Sequence, residues 1–359
     1  MRLGVLWQNS WAYSFSAIRC RFFAYAGSQS RESGLKMKKL VGLLVLVVGV
    51  ASGQTVSTTV GVGSRPSGVA VNPAGTRAYV TNNGGNSVSV IDTATNLVTA
   101  TVTVGSYPFG VAVNPLGTLA YVTNYDGTVS VIDTSNNTVT DTVAVGSNPF
   151  GVAVNPLGTL AYVANFGGTT VSVIDTVTNL VTTVAVGSNP AGVAVNPAGT
   201  LAYVTNFGGN TVSVIDTVTN LVTATVGVGS RPSGVAVNPA GTRAYVTNYY
   251  GNSVSVIDTA TNLVTATVTV GSYPFGVAVN PAGTRAYVTN YNGNTVSVID
   301  TATNSVTTVA VGSGPVGVAV NPAGTRAYVT NNGGNSVSVI NIAPPPRPFY
   351  PSKSPPSLR

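Results

Sequence analysis

The chain has 359 residues, of which 44% are hydrophobic and only 7% charged, with no His, one Cys and a formal net charge of +7. That charge is uneven: residues 1–53 hold seven Lys/Arg against one Glu, residues 343–359 hold three Lys/Arg, and the stretch between carries six Arg against eight Asp, a net of −2. The basic balance is therefore no sign of nucleic-acid binding, and no nucleic-acid partner is expected; a lone Cys20 likewise excludes a disulfide framework.

Both Trp, both Met, Cys20 and Glu32 lie before residue 40, so the composition breaks early. Met37-Lys38-Lys39, the apolar run LVGLLVLVVGV and then Ala51-Ser52-Gly53 have the layout of a secretory signal, with cleavage expected before Gln54. The apolar run of eleven residues is shorter than the roughly 20 needed to cross a bilayer as a helix, so no transmembrane span is expected in the mature chain. Residues 1–36 read as an over-extended N-terminus with Met37 the true start, residues 37–53 as the signal peptide, and the product as exported to a periplasmic, cell-surface or extracellular location.

From residue 54 the chain is periodic. The string GVAVNP begins at Gly68, Gly110, Gly151, Gly192, Gly234, Gly276 and Gly317, with spacings of 41 or 42 residues. Each unit reads as four short β-branched runs, in the first unit GVAV, RAYVT, SVSVI and LVTATVTV, separated by Asn, Asp, Gly and Pro. Asn72-Pro73-Ala74-Gly75 has type I turn chemistry, and Asn83 to Asn86 suits a hairpin loop. Four antiparallel strands per unit of about 40 residues predict an all-β, seven-bladed β-propeller over residues 54–342. The seventh unit stops after its third strand at Ile340, while Val56 to Val62 matches a fourth strand with no unit before it; the N-terminal strand is expected to complete the last blade and close the ring. One residue is missing from the second unit's hairpin loop, at Tyr125-Asp126-Gly127, and from the outer strands ending at Val186 and Val311. Residues 343–359, with seven prolines among the last sixteen, read as a Pro-rich disordered tail.

Tyr79-Val80-Thr81-Asn82 recurs in every unit, once as Tyr162-Val163-Ala164-Asn165. Together with GVAVNP and VSVIDT, these strings resemble the YVTN-type β-propeller repeat family of surface-layer and other exported proteins. The resemblance covers residues 55–342 and implies a seven-bladed propeller outside the cytoplasm, but no single activity.

The Asp of each VSVID string (Asp92, Asp133, Asp175, Asp216, Asp258, Asp300) could suggest an acidic ring. Counting outward from the hairpin places Arg77, Arg243 and Arg285 opposite Asp92, Asp258 and Asp300, so cross-strand ion pairs and turn hydrogen bonds are expected, with no metal and no cofactor. Without His, Lys or Cys in the repeats, no usual base is available to activate a Ser or Thr, and no enzyme is expected.

Strand alternation puts the loop entering each blade and the second-to-third-strand loop on one rim. The entering loops carry Arg65, Tyr107, Phe109, Phe150, Arg231, Tyr273 and Phe275; the hairpin loops carry Tyr125, Asp126, Phe166, Phe207, Tyr249, Tyr250 and Tyr291. Aromatics with Arg at loop tips have the composition of a recognition surface. The expected function is that of an exported, non-catalytic, monomeric binding or cell-envelope scaffold module, meeting protein or glycan across this face. The alternative is a lactonase-like or lyase-like propeller enzyme. Phe150, Phe166 and Phe207 are expected to fill gaps between blades, and Tyr249 and Tyr250 to be exposed. Residues 64–115 and 230–281 are identical except that Asn83-Gly84 becomes Tyr249-Tyr250.

Overall fold

The computed structural model describes residues 54–342. The expected over-extended N-terminus, the signal peptide and the Pro-rich tail lie outside the described residues. Seven four-stranded antiparallel sheets form a β-propeller. Thr55–Gly61 pairs with Ser336–Asn341, so the first strand completes the seventh blade and closes the ring. Among the described residues no helix is long and apolar enough to cross a membrane.

Period-two alternation along the second strand explains how the blades pack. In Arg77–Asn82, Ala78 and Val80 join the cluster shared with blade 7, whereas Tyr79 joins the cluster shared with blade 2. Every cluster follows this rule: the Tyr and strand-three Val of one blade meet the inner-strand Val, second-strand Ala and Val and strand-three Ile of the next. Seven cores thus lie between blades, and the seven strand-two tyrosines are fully buried. Removing one such ring, as in Tyr162→Ala, falls in the class that costs about 3–5 kcal/mol.

The inner strands are held to one another by a device that the repeat encodes. Each inner strand carries a bulge where two residues face one, between Pro66 and Val69 in blade 1. The bulge frees the Gly68 N–H from the ladder, and Thr81 Oγ1 accepts it at 2.7 Å. The same hydroxyl donates to Phe109 O of the next inner strand, also at 2.7 Å. Equivalent hydroxyls of Thr123, Thr205, Thr247 and Thr289 reach Phe150, Ser233, Phe275 and Val316, and Thr330 reaches Ser67 across the closure. Gly is required at the bulge because a Cβ on any of the seven would stand 2.4–2.5 Å from the facing carbonyl oxygen of the next blade. Blade 3 has Ala164 in place of the Thr and lacks this hydroxyl.

Turn chemistry follows the sequence. Gly75 N–H donates to Asn72 O, and Asn72 Oδ1 accepts from Thr76 N and Arg77 N. The missing residues of the outer strands also have a structural meaning. The seven-residue outer strand of blade 1 has a bulge opposite Val90/Ile91, whereas the five-residue strands Val181–Ala185 and Val306–Ala310 pair without one.

The expected ion pairs of Arg77 with Asp92 and of Arg243 with Asp258 are corrected, while Arg285 faces Asp300 in register. Arg77 faces Asp92 in register. Asp92 Oδ1, however, accepts from Ala94 N, Thr95 N and Thr95 Oγ1 within its own turn, and Arg77 Nη1 donates to Thr134 O of blade 2. Arg243 likewise reaches Thr301 O, and Arg326 reaches Thr93 O across the ring closure. A turn that offers three short-range donors outcompetes a flexible guanidinium, which then serves the neighbouring blade.

Two stability predictions follow from these contacts. Ala164→Thr restores the seventh hydroxyl and should raise stability by about 1 kcal/mol, a Tm increase of about 2 °C, while Thr205→Val should lower it comparably; calorimetry of both variants measures this. Burial, with a smaller contribution from Asp216, raises the Tyr162 hydroxyl from its ordinary value of 10.0 to about 12. The neutral phenol therefore contributes stability that is complete below pH 10.0 and lost as pH rises through about 12. Urea midpoints across that window should fall, and fall less in Tyr162→Phe.

Candidate functional site

The inner-strand bulge also aims side chains. The residue before each bulge Gly turns into the central channel, a space of about 170 Å³ walled by the Gly and Val of the inner strands. In four blades that residue is small or aliphatic: Ser67, Ala191, Ser233 and Val316. In the other three it is Phe, and Phe109, Phe150 and Phe275 converge over the channel. Phe109 and Phe150 stack with centroids 3.6 Å apart, and Phe275 lies 6.0 and 6.1 Å from them.

The hairpin loops extend this cluster outward. Phe166 stacks on Phe150 at 5.3 Å, Phe207 follows at 5.7 Å and Tyr249 at 6.2 Å from Phe207. Tyr249 then meets Tyr250, Tyr273 and Phe275 at 5.2, 4.9 and 5.9 Å, which brings the arc back to the channel mouth. Inside the arc is a cavity of about 300 Å³ walled by Phe150, Phe166, Phe207, Tyr249, Tyr250 and Phe275, with Ala191 and Ser233 at its base. A second cavity, of about 360 Å³, lies beyond the Phe109–Phe150 pair and is walled by Asn83, Tyr107, Phe109, Tyr125 and Phe150. Both volumes fall at the lower end of the range typical of small-molecule sites, roughly 300–1,000 Å³.

Each residue predicted for the rim can now be placed. Entering and hairpin loops do share one rim: Tyr249 N donates to Arg231 O, Tyr291 N to Tyr273 O, and Tyr125 N to Tyr107 O. Tyr249, Tyr250 and Phe275 wall the first cavity, Tyr273 packs behind the two tyrosines and Arg231 stands at its edge, while Phe109 walls the second. Arg231 lies over Phe207 at 5.1 Å and over Tyr250 at 5.7 Å. Tyr107 and Tyr125 belong to the second cavity, 58% and 40% exposed. Tyr291 sits beside Tyr249, and Arg65 lies apart over Gly84 of its own hairpin loop. Asp126 is a turn residue, accepting from Ser106 N and Thr128 Oγ1. Burial, and then the neighbouring Tyr291, Tyr250 and Tyr273 phenols, hold the Tyr249 hydroxyl above its ordinary value.

Two expectations change. Phe150, Phe166 and Phe207 do not fill gaps between blades, because Val, Ala, Ile and Tyr already fill them; they line the cavity with the tyrosines. Tyr249 is half-buried by its ring contacts, and Tyr250 is 56% exposed.

The cradle beneath the rim was not anticipated. Arg65, Tyr107, Arg231 and Tyr273 all have positive φ, 52–56°, at a position filled by Asn148, Asn189 and Gly314 in the other blades. The N–H of each is accepted by an Asn side chain of the preceding blade: Asn335, Asn86, Asn210 and Asn252. The GN pair ending the hairpin loops of blades 1, 4, 5 and 7 was the available signal, since Asn tolerates the left-handed conformation that Asn86, Asn210, Asn252 and Asn335 adopt.

The six VSVID carboxylates lie at the opposite rim, each in its own turn. Backbone and hydroxyl donors, led in Asp92 by Thr95 N and in Asp175 by Thr178 N, hold them below the ordinary carboxylate value. Among the described residues no group of three or more His, Cys, Asp or Glu is placed to hold a metal ion.

No family model matches the chain, and no curated protein matches it. A solved structure of hydrazine synthase from Kuenenia stuttgartiensis superposes with a TM-score of 0.72 at 24% identity, covering 78% of this chain and 96% of that chain. The likeness is one of fold. It corrects the functional expectation: the propeller that shares this fold belongs to a synthase, so the fold does not carry an exported, non-catalytic envelope scaffold role. The aromatics face one another around cavities.

Tyr107 offers a test of the strained rim. Tyr107→Asn, the residue found at this place in blades 3 and 4, should raise unfolding free energy by about 1 kcal/mol through relief of left-handed strain. Equilibrium denaturation measures it; a loss of stability would mean that the ring's contacts outweigh the strain.

Proposed function

We propose that this propeller captures a small molecule with a flat, apolar ring body in the aromatic cavity at the mouth of its channel. The observation that carries the reading is the comparison of blades 1 and 5. Their hairpin loops make the same backbone bonds, from Asn83 N to Arg65 O and Gly84 N to Ser64 O in one and from Tyr249 N to Arg231 O and Tyr250 N to Ser230 O in the other. Asn-Gly therefore suffices for the fold, and Tyr-Tyr is present only where its rings wall the cavity. Six aromatic rings around a small space offer stacking to the planar ring of a guest.

The ionisable groups on the cavity wall are the phenols of Tyr249 and Tyr250. The finer family assignment, to the YVTN-type propellers, belongs to the same proposal and is supported by the repeated string, whose Tyr, Thr and Asn each have a task in the ring.

N-phenyl-1-naphthylamine, a neutral probe that brightens in apolar surroundings, tests the reading on the full chain. At about 0.4 kcal/mol per heavy atom, its Kd should be on the order of tens of micromolar. Phe207→Ala with Tyr249→Asn should weaken binding at least about tenfold. Unchanged binding in the double variant would remove the proposal.

A further inference from the structure

The cavity is apolar, but its edge is charged. Arg231 stands over both Phe207 and Tyr250, two rings of the cavity wall. Its hydrogen bonds are made by its backbone, the N–H donating to Asn210 Oδ1 and the carbonyl accepting from Tyr249 N, while its guanidinium lies over the two rings. A guanidinium carries its N–H donors in its plane, and one held over rings can take a carboxylate as a fork.

The charge is also uncompensated at this rim. Of the eight Asp in residues 54–342, six sit in turns at the opposite rim, and Asp141 lies on the outer strand of blade 2, bonded to Asn179. Asp126 alone is at the aromatic rim; it is on blade 2 and committed to Ser106 N and Thr128 Oγ1. The copy of Arg231 in the duplicated block is Arg65, which has the same backbone conformation but lies over Gly84 instead of a ring. Tyr250 and Phe207 thus turn a common rim Arg into a fixed one, at the one place where it borders the cavity.

We infer that the captured molecule is an anion, a planar aromatic carboxylate whose ring enters the aromatic cavity and whose carboxylate takes the in-plane edge of Arg231. This rests on the proposed capture site and specifies its ligand class. Two isosteric probes separate the claims: 2-naphthoate, which is charged, and 2-naphthamide, which is not, each titrated calorimetrically into the full chain at low salt. The naphthoate should bind about tenfold more tightly. Arg231→Gln should abolish the preference for naphthoate over the amide; Arg231→Lys should keep part of the preference, and Arg65→Gln, away from the cavity, should alter neither probe's binding. Equal binding of the two probes, or a preference that survives Arg231→Gln, would overturn the anion inference while amide binding keeps the capture site. Failure of both probes to bind the unmodified chain would overturn both.

Discussion

The close approach of seven inner strands is the constraint on which the rest of the molecule depends. At each bulge Gly the neighbouring carbonyl oxygen stands where a Cβ would be, and a Thr hydroxyl ties the Gly N–H of one blade to that carbonyl of the next. Tight packing there narrows the channel and sets the pitch at which Tyr and Val of one blade meet Ala, Val and Ile of the next. It also determines what the rim can do. The bulge that admits the Gly turns the preceding residue into the channel, so a substitution from Ser to Phe at that single place changes the mouth without disturbing a strand.

This separation of ring from rim explains how nearly identical blades can build an asymmetric site. Blades 1 and 7 present Ser67, Val316, Asn83 and Asn332 where blades 2 to 6 present Phe or Tyr at one or both of the same positions. Side chains in left-handed backbone at Tyr107, Arg231 and Tyr273 cost stability that the Asn or Gly of other blades avoids. Arg65 carries the same strain away from the cavities, whereas the other three strained residues stand beside them, as expected of a surface shaped in part for a guest.

Much of the fold was legible in the sequence because a repeat states its own rules. The period, the four β-branched runs and the orphan strand Val56 to Val62 lead to a closed seven-bladed ring, and the one-residue differences in spacing mark a shortened hairpin loop and two outer strands without a bulge. Less legible was anything decided by competition between nearby groups. Arg77 faces Asp92 as register requires, yet the turn takes the carboxylate and the neighbouring blade takes the guanidinium. The rim residues were found and assigned to one face, but whether they spread outward or converge depends on the inner-strand bulge, which has no signature beyond a Gly before Val. Function class was not legible, since the scaffold reading rested on the composition of the rim and the missing bases, neither of which fixes a function, and the same fold occurs in hydrazine synthase.

The central claim is that the aromatic rings at the channel mouth form a place for a planar guest. A crystal structure of the protein soaked with 2-naphthoate tests it most directly. The account predicts naphthyl density among Phe207, Tyr249 and Phe275, with the carboxylate at Arg231. Naphthyl density elsewhere with this cavity empty, or rings collapsed onto one another so that no cavity remains, would contradict it.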